Sequence, residues 1–167
     1  PISFVASSNC ALYCGASVDF IDIDLATGNI CLQALKKKLI TAKQLNCLPK
    51  VIIPVHLAGQ SCPMQEIKAL ADQYNIHIIE DASHAIGAQY QKAPVGNCNY
   101  SDITIFSFHP VKIITSAEGG MALTNSRTLA KKMQQLRSHG ISNAPEDMTE
   151  ESHGPWYYQQ ISLGFNY

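Results

Sequence analysis

The sequence contains no run of about 18 apolar residues, the length a helix needs to span a bilayer, so no membrane-crossing helix is expected. It has no basic excess either. Twelve Lys and Arg stand against thirteen Asp and Glu, which removes the electrostatic footprint of a nucleic-acid or membrane-surface partner. There is no CxxC pair: Cys10, Cys14, Cys31, Cys47, Cys62 and Cys98 are scattered, whereas zinc sites bring ligands in closely spaced pairs. No metal is expected, and the thiols read as reduced, mostly buried groups of a cytoplasmic protein. Neither GxGxxG nor a Walker-type loop is present, and Gly119 with Gly120 is too short to cradle a phosphate. There is no initiator Met and no charged leader ahead of an apolar stretch. The chain opens in "PISFVASSN" as though a strand were under way and stops in "LGFNY" without a terminal cap. It reads as a piece of a longer polypeptide.

What is present is an alternation of strand and helix periods. At 167 residues, 46% of them apolar, the chain suits one domain with a real core. "ISFVA", "SVDFIDID", "KVIIPVH", "IHIIEDA", "DITIFSF" and "GMALTN" read as strands. "SNCALYCGA" reads as a helix stopped at Gly15, and "CLQALKKKLITAKQ" as one with Leu32, Leu35 and Leu39 on its inner face. "PMQEIKALADQYN" has Pro63 in its first turn and a stripe of Ile67, Leu70, Ala71 and Tyr74. "SRTLAKKMQQLRSHG" is capped near Ser126 and stopped at Gly140. Residues 142–157, polar and rich in Pro and Gly, read as a long mobile connection. The alternation predicts an α/β fold with a mainly parallel sheet and helices on both faces.

In such sheets ligands gather beyond the carboxyl ends of the strands, where "EDASHA" and "FSFHPVK" fall. Lys112 follows the second of these strands within the apolar run "PVKIIT". A lysine in an apolar site has its charged form disfavoured, which frees a nucleophilic amine for Schiff-base formation with an aldehyde. The aldehyde cofactor that pairs a lysine with a carboxylate is pyridoxal 5′-phosphate (PLP), whose pyridinium nitrogen takes an acidic partner. Asp81 is the candidate for that acid. At about 4 Å and an effective dielectric near 20, such a charge pair attracts by roughly 4 kcal/mol before desolvation. Ser107, five residues before Lys112, supplies a hydroxyl for the phosphate. Singly, each residue has a plainer reading: Asp81 as a helix cap, Ser107 as a small strand residue, Lys112 as a snorkelling side chain.

Jointly they resemble the DegT/DnrJ/EryC1/StrS sugar aminotransferases, within the fold-type I PLP enzymes. The resemblance runs through "SFVASSNCALYCGASVDFIDID", "VIIPVHLAGQ", "IIEDASHAIGA", "SDITIFSFHPVKIITSAEGGMALTN" and "LGFNY", in family order across nearly the whole chain. "FSFHPVK" with "AEGG" is most similar to the transaminases that aminate C4 of UDP-linked 4-keto-6-deoxy sugars in pseudaminic acid biosynthesis.

The resemblance implies a three-layer PLP-transferase large domain, with residues 1–167 as its central part. An amino-terminal phosphate turn and a carboxy-terminal small domain would lie outside those residues. It implies that Lys112 bonds the cofactor aldehyde and shuttles the substrate proton. Asp81 would pair with the pyridine nitrogen, His84 would contact the ring oxygen or cofactor face, and Ser107 would bind the phosphate. Phe4 would stack on the ring, Asn166 would reach the partner subunit's phosphate in a homodimer, and His109 is a candidate for substrate contact. Phe4 and His84 also read as ordinary core and loop residues, and His56 and Gln60 as cleft-rim residues without a role. The implied reaction moves an amino group from L-glutamate to the C4 keto group of a nucleotide-linked sugar. Two other readings stand beside it: a non-catalytic PLP-binding sensor, and a sugar dehydratase, which Lys112 argues against because those enzymes carry histidine there.

Overall fold

The computed structural model describes residues 1–166. In chain order its elements are α1 (Ala6–Tyr13), α2 (Leu32–Gln44), β1 (Val51–Ile52), α3 (Met64–Tyr74), β2 (His77–Asp81), β3 (Gln89–Tyr90), β4 (Ala93–Pro94), β5 (Ile103–Ser107), β6 (Gly120–Leu123), α4 (Arg127–Leu136), β7 (Ile141–Ser142) and β8 (Gln159–Gln160). Two compact units emerge, Pro1–Asn125 and a second beginning at Ser126, where the length alone suggested one.

The first unit is built on a four-stranded sheet of order β1-β2-β5-β6. β1 pairs with β2 and β2 with β5 in parallel, while β6 runs antiparallel to β5. The "mainly parallel" expectation holds, with β6 as the exception: the chain returns from β5 without a crossover helix. Burial alternates residue by residue along β2 and β5. Ile78, Glu80, Thr104 and Phe106 are buried on one face, whereas Ile79, Asp81, Ile103, Ile105 and Ser107 on the other are half-exposed. This is the two-residue period of a strand with one covered face.

The covered face packs on α2 and α3. Leu35 and Leu39 of α2 and Met64, Ile67 and Ala71 of α3 join Ile52, Ile76 and Ile78 in one cluster. Full burial of each large aliphatic side chain contributes about 2 kcal/mol. The stripes on α2 and α3 are those the sequence spacing indicates. Pro63 precedes α3 rather than opening it, and Asn75 ends the helix in the left-handed region at φ 55°, which asparagine tolerates. α2 and α3 cover this face, and α1 meets the opposite one, where its Ser7 hydroxyl reaches Asp81.

Two expected strands are absent. Residues 1–4 are irregular and run into α1, and "SVDFIDID" contributes one isolated bridge, Ile23 to Ile30. Both segments contain β-branched residues but have no neighbouring strand to pair with. The β3–β4 hairpin was not foreseen. After it Gly96, at φ +98°, lies so close to Phe106 that a Cβ would sit 2.8 Å from the ring and 3.1 Å from Leu123 Cδ1. The thiols also depart from expectation. Cys62 and Cys98 are buried, but Cys10, Cys14 and Cys47 are exposed. Cys10 lies on α1, which fully buries none of its residues, and Cys14 and Cys47 lie just beyond the ends of α1 and α2.

In the second unit, the Ser126 hydroxyl accepts the Leu129 N–H to cap α4, as the sequence indicates. β7 and β8 pair antiparallel, and the expected long connection contains a short 3₁₀ turn, Pro145–Asp147, joined by Lys131 Nζ to Asp147 Oδ1 at 2.7 Å.

One polar network is enclosed beneath the sheet. The His56 ring, fully buried, accepts the Cys62 N–H at Nδ1 (3.0 Å), so Nε2 carries its proton and donates to Glu80 Oε2 at 2.7 Å. Glu80 Oε1 accepts from Ser101 Oγ (2.5 Å) and Thr104 Oγ1 (3.0 Å). Burial pushes the Glu80 pKa up, but these hydrogen bonds and His56 outweigh it and hold the carboxyl below its ordinary value. Its stabilisation is therefore complete above the unfolded carboxylate value and lost as pH falls through the folded one. Glu80→Gln should destabilise the full polypeptide by about 2 kcal/mol at neutral pH. Urea unfolding across pH should show that deficit closing in acid; a constant deficit would contradict this account.

Candidate functional site

The site residues are set by the register of β2 against β5. Asp81 pairs with Ile105, and Ser107 lies two residues further along β5 on the same face. Both side chains thus stand at the carboxyl edge of adjacent parallel strands, on the half-exposed face. Glu80, one residue earlier, points the other way into the network beneath the sheet. The Asp81 main chain is fixed by Asp81 N–H to Pro54 O (2.9 Å) and His56 N–H to Asp81 O (3.0 Å).

The Asp81 carboxylate receives two donors. Ser7 Oγ, on α1, donates to Oδ2 at 2.5 Å, and the Ser83 N–H donates to Oδ1 at 3.1 Å. Burial raises its pKa, but the hydrogen bonds from Ser7 and Ser83 and the influence of His84 prevail and hold it below the ordinary carboxylate range. With about four lone-pair positions on a carboxylate, further acceptor capacity remains. His84 follows on the turn after β2, and its Nδ1 accepts the Ala58 N–H at 3.4 Å, leaving Nε2 as the protonated nitrogen of the neutral ring. Ala58 itself is in the left-handed region at φ 52° within a 3₁₀ turn, Leu57–Gly59. The buried Asn29 side chain holds that turn, accepting from Leu57 N–H (3.1 Å) and donating to Gln60 O (2.9 Å).

Beyond β5, Ser107 Oγ accepts the His109 N–H at 3.4 Å, and the Lys112 N–H bonds His109 O at 2.9 Å, which closes the turn carrying the lysine. The Phe108 carbonyl is held by Ser116 N–H (3.0 Å) and Thr115 Oγ1 (2.9 Å). The surroundings of Lys112 differ from the expected apolar burial. Val111, Ile113 and Ile114 point to solvent, Val111 being 78% exposed, and Lys112 is half-exposed. Hydrophobic residues on a tight turn have no interior to enter here. Its ammonium has no acidic partner among the described residues.

Phe4, 73% exposed, lies just before α1, three residues from Ser7. Asn166 belongs to the second unit, in an antiparallel bridge with Ser138. Asp81, His84 and Ser107 are thus gathered at one sheet edge, with His109 and Lys112 on the turn leaving it. The sequence reading missed Ser7, whose only signal was a small hydroxyl residue near Phe4. It also placed His56 on the cleft rim, whereas the ring is internal. A polar cavity of about 250 Å³, lined by Lys68, Asp72, His77 and Asp102 among others, lies at the amino ends of β2 and β5, away from these residues.

No helix among the described residues is long and apolar enough to cross a membrane. Among known proteins, a UDP-4-amino-4,6-dideoxy-N-acetyl-beta-L-altrosamine transaminase of Campylobacter jejuni is 41% identical over 167 residues, covering 100% of this chain and 40% of that protein. Helicobacter pylori PseC, described as an aminotransferase involved in the biosynthesis of pseudoaminic acid, superposes with a TM-score of 0.84 at 33% identity, over 99% of this chain and 40% of that one. A putative sugar aminotransferase from Streptococcus pneumoniae, in its PLP form, superposes at 0.74 with 26% identity, over 98% of this chain and 42% of that one. The chain therefore spans about two-fifths of the length of the relatives it matches. Residues 1–167 match one family throughout, and the chain belongs to the DegT/DnrJ/EryC1/StrS aminotransferase family.

Proposed function

We propose that the full polypeptide is a PLP-dependent nucleotide-sugar aminotransferase, and that residues 1–167 are the central part of its cofactor-binding large domain. The observation carrying this reading is the β2–β5 register, which sets Asp81 and Ser107 side by side at the strand ends with Lys112 on the turn that follows. The donor set fits PLP. Asp81, kept ionised by Ser7 and Ser83, suits a cationic ring nitrogen. Ser107 offers a hydroxyl proton to a phosphate oxygen, and Lys112, without an acidic partner among the described residues, offers its amine to an aldehyde. Phe4 supplies a ring face for stacking and His84 a hydrogen-bond donor at Nε2. Asn166 is assigned to the partner subunit's phosphate, and His109 to substrate.

When bound, PLP supplies an aldehyde and an electron-withdrawing ring. Lys112 Nζ takes and returns the proton on the carbon whose bond to nitrogen changes. Asp81 holds positive charge at the ring nitrogen, and because its pKa is depressed it does so down into acid, failing only as pH falls through that lowered value. L-Glutamate is the proposed amino donor and the C4 keto group of a UDP-linked 4-keto-6-deoxy sugar the acceptor, as in a pseudaminic acid pathway. Support for the acceptor comes from the name of the Campylobacter relative and the description of PseC. A cytoplasmic homodimer with shared sites is part of the proposal. It is supported by α1, which buries none of its residues, and by the exposed Val111, Ile113 and Ile114 beside Lys112.

Mass-spectrometric analysis of the full polypeptide with L-glutamate and UDP-linked 4-keto sugars tests the reaction; no aminated sugar from any of them would reject it. Lys112→Ala should abolish the visible band of lysine-bound pyridoxal while circular dichroism stays native, and a persisting band would remove Lys112 from its role. Asp81→Asn should lower turnover by about 10³-fold, the equivalent of roughly 4 kcal/mol, with PLP still bound. Unchanged kcat would remove Asp81.

A further inference from the structure

We infer that Ser7 is a positioning residue that ties two cofactor-gripping groups together, the Asp81 carboxylate and the aromatic ring of Phe4. The inference rests on the cofactor reading above for the identity of those groups, but its geometry is independent of that reading. α1 fully buries none of its residues, and its Val5 N-cap provides no side-chain hydrogen bond. Its contacts with the rest of the chain are only partly buried, at Ser7, Ser8, Asn9 and Ala11, and no cap side chain fixes its start. A specific tether is the 2.5 Å hydrogen bond from Ser7 Oγ to Asp81 Oδ2, which spans 74 residues of sequence. The Ser7 N–H also bonds Phe4 O at 3.2 Å, so the residue that reaches Asp81 closes the turn presenting the Phe4 ring. Behind it, Ser3 Oγ donates to Ser7 Oγ at 3.0 Å, so the hydroxyl that receives this proton directs its own at the carboxylate.

The arrangement has two effects. It fixes the Asp81 rotamer, since Oδ2 is held from α1 and Oδ1 from the Ser83 N–H. It also favours the ionised acid, because hydrogen bonding to the charged form stabilises that form. The other titratable group beside Asp81 is His84 on the following turn; the paired strand positions, Val55 and Ile105, carry no charge.

The test is the titration of Asp81 by carboxyl-¹³C aspartate NMR in the cofactor-free full polypeptide, assigned with Asp81→Asn. In Ser7→Ala the Asp81 midpoint should move up by about one pH unit or more, and Ser7→Thr, which keeps the hydroxyl, should restore it. In parallel, the Kd for PLP should weaken about tenfold in Ser7→Ala and recover in Ser7→Thr. A merely structural role for Ser7 would leave the titration where it is. An unchanged Asp81 midpoint in Ser7→Ala overturns the inference whether or not PLP binds. A raised midpoint with no PLP bound by any variant, wild type included, upholds the serine–aspartate link and overturns the cofactor reading instead.

Discussion

The parallel pairing of β2 with β5 is the constraint on which the rest depends. Its three register pairs, Ile79 with Ile103, Glu80 with Thr104 and Asp81 with Ile105, place consecutive acids on opposite faces of one sheet. Glu80 is turned into a closed network of His56, Ser101 and Thr104; Asp81 is turned toward the open edge. A slip of one residue would exchange them, exposing the acid that has three side-chain partners and burying the one at the open edge. The internal network and the open edge are thus two consequences of a single alignment.

The same alternation explains why two adjacent carboxylates can both stay ionised. Each has hydrogen-bond donors of its own, and they reach it from different parts of the chain. For Glu80 they come from residues 56, 101 and 104; for Asp81, from Ser7 on α1 and from Ser83. The acids therefore draw on separate supports, and neither competes with the other for a partner.

Much of the fold was legible in the sequence. The Leu35/Leu39 and Ile67/Ala71 stripes recur at helical spacing, and "IHIIED" and "ITIFS" carry the strand period, so α2, α3, β2 and β5 could be read directly. "ISFVA" and "SVDFIDID" misled because β-branched content signals a strand only where a neighbour exists to pair with, and that is a tertiary fact. At the site, Asp81, Ser107 and Lys112 stood out by their places at or after strand ends, and His84 by the family resemblance. Ser7 did not, because its partner is 74 residues away and a serine near a helix start has many local uses. His56 was misplaced for a related reason: at the end of the expected strand "KVIIPVH" it read as a cleft-rim residue, while the ring faces back under the sheet to satisfy Glu80.

The missing side chain at residue 96 bears on the end of β5 that carries Ser107. A Cβ there would come within 2.8 Å of the Phe106 ring and 3.1 Å of Leu123 Cδ1, and Phe106 immediately precedes Ser107. Any substituent at that position would have to displace the aromatic ring, on a backbone whose φ of +98° side chains rarely adopt. A half-exposed glycine after the hairpin thereby leaves Phe106 its place one residue before the end of β5.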